Sequence, residues 1–302
     1  MIRLDSKVAI VTGSGRGLGL AYARQLAAAG AAIVINDVDE QAARDAVSLI
    51  TEAGGRALAE VGPVGGADVA QALVDRAVKD YGRLDILVAN AGILRDTVVW
   101  KMSDDDFDAV IRVHLRGTFT CTRAAAIRMR EQGQGGRIIC IGSPTGQLGN
   151  FGQTNYAAAK AGIVGMVRTW ALELKRSAIT VNAVVPVAAT TMTETIPALQ
   201  PYITALNSGE QLPPFARREL GFGSPDDAAA AVVFLASDAA AGISGQVLGI
   251  GGDRLALWSH PAEQAIAFHD GGWDAASIEA TWPQEFASHE QPIGQSFPEP
   301  PA

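Results

Sequence analysis

The fold is decided by the stretch Val8-Ala9-Ile10-Val11-Thr12-Gly13-Ser14-Gly15-Arg16-Gly17-Leu18-Gly19, in which an apolar run passes through a glycine-rich turn into a helical pattern. The apolar run predicts a buried strand. Glycines in such a turn let the backbone bend tightly and approach a pyrophosphate, towards which the first amides of the helix point. The candidate residues for binding a dinucleotide at this turn are Gly13, Arg16, Gly17, Leu18 and Gly19.

Short β-branched runs alternate along the chain with longer, alanine-rich amphipathic stretches. This alternation is typical of βαβ units, so it predicts an α/β fold with a doubly wound parallel sheet of the Rossmann type. The predicted strands are Val8 to Thr12, Ile33 to Asn36, Leu84 to Ala89, Arg137 to Ile141 and Thr180 to Val185, and helices are predicted over Ala21 to Ala29 and Gln153 to Lys175.

The chain of 302 residues, 48% hydrophobic, is long enough for one large α/β domain. We expect this dinucleotide-binding catalytic domain to cover residues 1–252. Within it, residues 190–222 are rich in proline, leucine and isoleucine and predict a mobile apolar lid over the substrate. From residue 253 to 302 tryptophans, histidines and a proline-rich end replace the alternating pattern, which predicts a C-terminal extension that packs on the body or on a partner subunit.

The formal net charge of -8 argues against nucleic acid and anionic membrane surfaces as partners. Cys121 and Cys140 lie in apolar stretches without metal-type spacing, so we expect core thiols in a reducing compartment and no metal site. The sequence shows no signal peptide and no apolar run of membrane-spanning length. These features predict a cytoplasmic protein whose partner is a small-molecule substrate.

Asp37 follows the second predicted strand, where a carboxylate can accept hydrogen bonds from the adenosine ribose and repel a 2'-phosphate. This position favours NAD over NADP as the cofactor. Arg16 argues in the other direction, because its guanidinium could pair with a 2'-phosphate. Its role as a solvated cation in the loop is the alternative.

A second constellation lies in the middle of the chain. Ser143 comes just after a predicted strand, and Tyr156 opens a helix with Lys160 one turn further along. The i, i+4 spacing places phenol and ammonium on one helix face. A nearby positive charge lowers the pKa of a phenol, which fits Tyr156 for proton transfer, while Ser143 can hydrogen-bond the substrate oxygen.

These motifs resemble the short-chain dehydrogenase/reductase family over about residues 5 to 252. The turn matches its Thr-Gly-x-x-x-Gly-x-Gly form, and Asn90-Ala91-Gly92 matches its Asn-Ala-Gly motif. The resemblance implies that Ser143, Tyr156 and Lys160 are catalytic, that the latter two also hold the cofactor, and that Asn90, Ala91 and Gly92 border the adenine ribose. Family members are commonly dimers or tetramers, so we expect a homodimer or homotetramer.

The chain departs from the family pattern at three places. His114 stands where the family usually has an asparagine that anchors a proton-relay water, so it is either a relay residue or a packed histidine. Pro63-Val64 replaces Asp-Val, which leaves only the Val64 amide for adenine. Pro186-Val187 replaces Pro-Gly, with Thr191 placed where a threonine often contacts the cofactor.

Several segments resemble, within the family, the (3R)-hydroxyacyl-CoA dehydrogenase part of peroxisomal multifunctional enzyme type 2 and its bacterial relatives. This resemblance implies NAD-linked oxidation of a 3-hydroxyacyl-CoA or a hydroxysteroid-like alcohol. The alternatives are an NADPH-dependent 3-oxoacyl-(acyl carrier protein) or carbonyl reductase, and a non-catalytic nucleotide-sensing protein. The segments are Asn90 to Asp96, Val113 to Gly117, Gly149 to Gln153, and Trp273 to Ala280 with Trp282.

Overall fold

The computed structural model describes residues 2–295 and 298, and within them eight strands form one sheet. The strand order is β3-β2-β1-β4-β5-β6-β7-β8, with every neighbouring pair parallel except β7 and β8. The predicted doubly wound α/β fold is confirmed. The strands are β1 (Val8–Thr12), β2 (Ala32–Asn36), β3 (Arg56–Ala59), β4 (Ile86–Ala89), β5 (Gly136–Ile141), β6 (Ile179–Pro186), β7 (Val247–Gly251) and β8 (Arg254–Leu257).

Helices cover both faces of this sheet, and their ends follow local sequence signals. The side chain of Asp39 caps one helix by accepting from the Ala42 amide, and Ser224 with Asp227 forms a capping box at another. The helices are α1 (Gly17–Ala28), α2 (Glu40–Glu52), α3 (Ala67–Tyr81), α4 (Asp104–Ile111), α5 (Gly117–Gln132), α6 (Thr145–Leu148), α7 (Thr154–Glu173), α8 (Gln200–Asn207), α9 (Pro214–Arg218), α10 (Pro225–Ala236) and α11 (Ala275–Glu285).

Two apolar cores lie on opposite faces of the sheet. Helices α3, α5 and α7 pack on one face, and α1, α2 and α10 pack on the other. Strands β1, β2 and β4 are buried along their whole length, which explains why they read as continuous apolar runs. None of the helices in residues 2–295 is both long and apolar enough to cross a membrane.

Two structural features lie in the segments that we expected to serve as lid and extension. Residues 190–222 contain α8 and α9 and enclose a small apolar cluster of their own around Leu199, Ile203 and Phe222. Beyond residue 252 the antiparallel strand β8 adds to the sheet edge, which the sequence pattern did not indicate. Helix α11 has no buried residue. Pro300 and Pro301 of the proline-rich end lie outside the described residues.

Candidate active site

The glycine turn lies at the carboxyl end of β1, where the strand order reverses between β1 and β4. Ligands of open α/β sheets bind at such a switch point. Gly13 has φ +60° and a Cβ there would lie 2.8 Å from Ala91 Cα. A Cβ on Gly19 would collide with the carbonyl oxygen of Gly13. Glycine is therefore needed at both positions to bring the turn against the β4 loop.

The same turn fits a dinucleotide pyrophosphate. Helix α1 begins at Gly17 and no side chain caps it, so the amides of Gly17, Leu18 and Gly19 remain open to an anion. A Cβ on Gly17 would meet no atom within 4 Å, which shows open space at this point. When a nicotinamide dinucleotide binds, these residues would hold its phosphates.

Asn90 supports the turn through its side chain. Its Nδ2 donates to the carbonyl oxygens of Thr12 and Gly13, both at 2.9 Å. The Thr12 hydroxyl in turn accepts from the amides of Asn90 and Ala91. Asn90 therefore joins the turn after β1 to the end of β4. Its side-chain nitrogen is hydrogen-bonded to the backbone of this chain.

The two acidic residues after β2 define the charge at the expected ribose position. Asp37 accepts from the amides of Gly15, at 2.9 Å, and Asp39, at 3.2 Å. Each carboxylate oxygen keeps a further lone pair for a ribose hydroxyl. Arg16 does not point freely into this space, because its Nη2 lies 2.6 Å from an oxygen of Asp39.

The remaining predicted cofactor residues lie after β3 and at the end of β6. Val64 is buried against Gly117, at the start of α5. Pro186 ends β6 and Thr191 is exposed in the turn that follows. It is Thr193 whose hydroxyl organises this turn, by accepting from the Thr190 amide and donating to nearby carbonyl oxygens.

The structure brings Ser143, Tyr156 and Lys160 together beside the carboxyl end of β5. Ser143 and Lys160 are buried, and Ser143 hydrogen-bonds to the Tyr156 side chain. Lys160 Nζ lies 5.5 Å from the centre of the Tyr156 ring and donates to the Ile141 carbonyl oxygen at 2.6 Å. The fold therefore places these three predicted side chains close to one another.

The pKa of Tyr156 is raised in this structure and not lowered, contrary to the expectation from the spacing of Tyr156 and Lys160. Desolvation raises the pKa of the Tyr156 phenol and outweighs the opposing hydrogen bond from Ser143. Burial also lowers the pKa of Lys160 to about 7, so its charge is only partly present at neutral pH. Both groups are therefore biased towards their uncharged forms.

His114 lies directly behind Tyr156, within a π-helical segment between α4 and α5. The two rings meet edge to face, with centroids 5.1 Å apart. His114 Nε2 lies 2.8 Å from the Ile93 carbonyl oxygen, and no described residue partners its buried Nδ1. Burial lowers the pKa of His114 to about 3, so the ring is neutral.

Sequence reasoning did not find several residues that build this site. Buried Asn155 accepts from the Tyr156 amide at 2.7 Å and donates to the Arg95 carbonyl oxygen, which fixes the start of α7. A Cβ on Gly146 would lie 2.7 Å from Lys160 Cβ, so glycine lets α6 approach α7. The position of Asn155 beside Tyr156 was a signal that could have identified it.

A chain of hydrogen-bonded polar residues extends from Ser143. Gln153 donates to Asp96 at 2.7 Å, and Thr145 lies 3.1 Å from the Gln153 side-chain oxygen. The Thr145 amide donates to the Ser143 hydroxyl. No cluster of three metal-ligating side chains occurs within the part of the chain that the structure describes.

Comparisons with known proteins agree with this geometry. The short chain dehydrogenase family model matches residues 7–200. A Synechocystis 3-oxoacyl-[acyl-carrier-protein] reductase is 43% identical, covering 84% of this chain and 99% of its own. Hydroxyacyl-CoA dehydrogenase ChsB1 of Mycobacterium tuberculosis is 38% identical, covering 95% and 90%. Peroxisomal multifunctional enzyme type 2 of Drosophila melanogaster is 45% identical over 65% of this chain and 33% of its own.

A crystal structure of a short chain dehydrogenase from Mycobacterium avium superposes with a TM-score of 0.82 at 33% identity, covering 96% of this chain and 98% of that one. The resemblance to this family, and to its hydroxyacyl-CoA dehydrogenases, is therefore confirmed. The chain belongs to the short-chain dehydrogenase/reductase family and is an NAD(P)-dependent oxidoreductase that acts on CH–OH groups.

Proposed function

We propose that this protein is an NAD-dependent dehydrogenase that interconverts a 3-hydroxyacyl-CoA and its 3-oxo form, with hydroxysteroid-like alcohols as a second hydrophobic class. The observation that carries the proposal is the cluster of Ser143, Tyr156 and Lys160 beside an open dinucleotide turn. The hydroxyacyl-CoA dehydrogenases among its relatives support the substrate class.

The residues of this chain perform the proton chemistry. A bound nicotinamide ring accepts or supplies the hydride. The Ser143 hydroxyl holds the substrate oxygen, and the Tyr156 hydroxyl takes or returns its proton. The Lys160 ammonium stabilises the phenolate that oxidation requires. We assign His114 Nδ1 to a relay water in this network, since that atom is buried without a partner among the described residues.

The preference for NAD rests on the charges after β2. Asp37 faces the glycine turn, and Asp39 holds Arg16 at 2.6 Å. A 2'-phosphate would therefore meet two carboxylates and a guanidinium that is already paired, which disfavours NADP. Side-by-side titration should show NAD binding at least about tenfold tighter, equivalent to about 1.4 kcal/mol. Asp39→Asn, which releases Arg16, should reduce the difference between the affinities for NAD and NADP. Tighter binding of NADPH than of the NAD form of the cofactor to the unaltered protein would overturn the NAD assignment.

An apolar substrate fits the surroundings of the site. Residues 190–222 enclose their own apolar cluster, and their base is tied down because the Ala189 amide donates to the Gly223 carbonyl oxygen. Arg217 adds ion pairs to Asp227 and Asp253. We propose that this segment is the substrate lid of a catalytic domain spanning residues 1–252.

The chemistry is tested by Tyr156→Phe in assays of NADH formation from 3-hydroxyacyl-CoA thioesters and hydroxysteroids. The variant should keep its NAD affinity and lose activity by about 10²-fold or more, because the proton-transfer group is gone. Tyr81→Phe, on α3, is the matched control and should match the unaltered enzyme. Equal turnover by Tyr156→Phe would refute the mechanism. No turnover by the unaltered enzyme on any acyl-CoA or steroid would refute the substrate class.

The 3-oxoacyl-[acyl-carrier-protein] reductase relative favours a second candidate, an NADPH-dependent reductase acting on carrier-bound or free carbonyl substrates. Faster reduction of an oxoacyl-carrier protein with NADPH than of an oxoacyl-CoA with NADH would favour this candidate. A nucleotide-sensing protein without turnover is a third, which any Tyr156-dependent turnover would exclude.

We propose that the enzyme is a cytoplasmic homodimer or homotetramer. Exposed apolar side chains lie on α5 and α7, among them Phe119, Ile127 and Leu172. Exposed apolar side chains on helices of this kind would be covered by subunit contacts. Cys121 and Cys140 are free and buried, which suits a reducing compartment. Sedimentation of the purified protein tests the assembly, and a monomer at micromolar concentration would refute it.

A further inference from the structure

The loop that follows β4 is joined to the start of α7 by backbone and side-chain hydrogen bonds. The Thr97 amide donates to the Gly152 carbonyl oxygen at 2.8 Å. One residue earlier, the Asp96 carboxylate accepts from Gln153 Nε2 at 2.7 Å. Gln153 is the residue that precedes the first turn of α7, on which Tyr156 lies. Asp96 is therefore held at the end of the helix that carries the catalytic tyrosine.

The residue on the other side of Asp96 is fixed to the same helix. The buried side chain of Asn155 donates through Nδ2 to the Arg95 carbonyl oxygen at 3.0 Å. Through Oδ1 it accepts from the Tyr156 amide at 2.7 Å. Both neighbours of Asp96 are thus tied to the start of α7, which fixes the position of the carboxylate relative to Tyr156.

The Asp96 carboxylate carries a negative charge that no cation neutralises. Its side chain is exposed, and its hydrogen bond comes from the uncharged amide of Gln153. The adjacent guanidinium of Arg95 lies 3.8 Å from Asp106 instead. No lysine, arginine or histidine forms an ion pair with Asp96 within residues 2–295. The loop therefore presents a fixed, unpaired anion.

The charge of Asp96 acts on the Tyr156 phenol. Desolvation is the main cause that raises the pKa of this phenol, the hydrogen bond from Ser143 opposes it, and the charge of Asp96 raises the pKa further. Lys160 offsets little of this charge at neutral pH, because burial lowers its pKa to about 7. Any anion placed beside the Tyr156 hydroxyl would experience the same repulsion from Asp96.

This repulsion distinguishes between two forms of the same hydroxyacyl group. In a free 3-hydroxy acid, one methylene group separates the carboxylate from the carbon that bears the hydroxyl. When Tyr156 binds that hydroxyl, the carboxylate of the substrate must lie close by. A thioester or an ester has a neutral carbonyl group at this position. Only the free acid therefore meets a like charge when it reaches Tyr156.

We infer that Asp96 is a specificity-determining residue that discriminates against free 3-hydroxy acids by like-charge repulsion and so favours neutral thioesters and esters. The inference rests on the proposed function for the hydroxyacyl nature of the substrate. Gln153 is the positioning residue that holds the carboxylate. Because Asp96 is exposed and screened by solvent, the expected effect is about tenfold in kcat/KM.

The test uses two variants of Asp96 in the full chain. Asp96→Asn removes the charge and keeps an oxygen that can accept from Gln153, whereas Asp96→Glu keeps the charge and changes the length. Asp75→Asn is the matched control, because Asp75 is an exposed aspartate on α3 that accepts from the Gln71 side chain at 2.8 Å. The substrates are 3-hydroxybutyrate, its methyl ester and 3-hydroxybutyryl-CoA, with NAD. The quantity compared is the kcat/KM of the ester divided by that of the acid.

Asp96→Asn should lower this ratio at least about tenfold, whereas Asp96→Glu and the control should keep the ratio of the unaltered enzyme. Added salt should lower the ratio in the unaltered enzyme but not in Asp96→Asn, because salt screens an exposed charge. An unchanged ratio in Asp96→Asn would overturn the inference and leave the proposed function intact. So would an equal loss in Asp96→Glu, or an unaltered enzyme that does not discriminate.

A titration of Tyr156 separates the inference from the proposed function. An unaltered enzyme that turns over neither the thioester nor the ester would overturn the proposed function. The phenolate absorbance of Tyr156, measured as the difference from Tyr156→Phe, then tests the charge without turnover. Asp96→Asn should lower the pKa of Tyr156, because it removes the charge that raises it. A pKa of Tyr156 that is the same in both proteins would overturn the inference.

Discussion

Lys160→Met replaces a buried ammonium by an apolar side chain of similar length, and we expect it to stabilise the fold while abolishing most activity. Lys160 is 3% exposed, and burial lowers its pKa from 10.5 to about 7. One pKa unit corresponds to about 1.4 kcal/mol, so the charged form costs about 4 to 5 kcal/mol in this position. Residues that serve catalysis are commonly placed at such a cost to stability.

The variant also loses a favourable contact, which reduces the net effect. The 2.6 Å hydrogen bond from Lys160 to the Ile141 carbonyl oxygen disappears. A hydrogen bond to a charged group contributes about 1.5 to 3 kcal/mol. The expected gain in free energy of unfolding at pH 6 is therefore about 2 kcal/mol, or about 3 °C in Tm for a chain of this size.

The pH dependence gives the sharper test. Below pH 7 Lys160 is charged in both the folded and the unfolded states, and the cost is fully present. Between pH 7 and 10.5 the folded state loses the proton while the unfolded state keeps it, so the stability of the unaltered protein rises with pH. The advantage of Lys160→Met should consequently shrink between pH 6 and about pH 10.

Urea or thermal unfolding at equal protein concentration measures this difference, since assembly would otherwise change the apparent stability. Lys175→Met, at an exposed position just after α7, is the control and should change the free energy of unfolding by less than about 0.5 kcal/mol. A variant less stable than the unaltered protein at pH 6 would refute the reasoning. So would an advantage that stays the same at both pH values.

Three further outcomes are expected. His114→Phe should lower kcat by about 10²-fold, because it removes the Nδ1 that we assign to a relay water, and His114→Asn should recover part of that loss. Equal rates in both variants would contradict the assignment. Gly19→Ala should weaken NAD binding by at least about tenfold, because its Cβ would collide with the Gly13 carbonyl oxygen. An unchanged NAD affinity by calorimetry would contradict the assignment of the glycine turn to phosphate binding. Since desolvation raises the pKa of Tyr156, kcat for alcohol oxidation should rise with pH above neutrality, and a flat profile would contradict that role.

The strands and the proximity of Tyr156 to Lys160 could be predicted because their signals are local. A strand buried on both faces must be apolar throughout, and β1, β2 and β4 have that pattern. The spacing of Tyr156 and Lys160 by one helical turn is likewise a property of a single element. Such signals do not depend on contacts with distant parts of the chain.

The missed features depend on contacts between distant residues. Arg16 carries no local sign that it pairs with Asp39, 23 positions away. The contact of Gln295 with Thr145 spans 150 positions, and no periodicity in either segment indicates it. Strand β8 is short and half of its residues are exposed leucines, so it lacks the pattern of a core strand. Tertiary packing alone decides these placements.

The direction of the Tyr156 pKa shift was missed for a related reason. Sequence spacing shows that a lysine is near, but it does not show that the lysine is itself buried. Burial weakens the charge of Lys160 and disfavours the phenolate of Tyr156 at the same time. The same desolvation makes any charge that does form there interact more strongly with its neighbour, because the local dielectric is low. The fold thus biases both groups towards their uncharged forms, and only the arrangement of the folded chain reveals it.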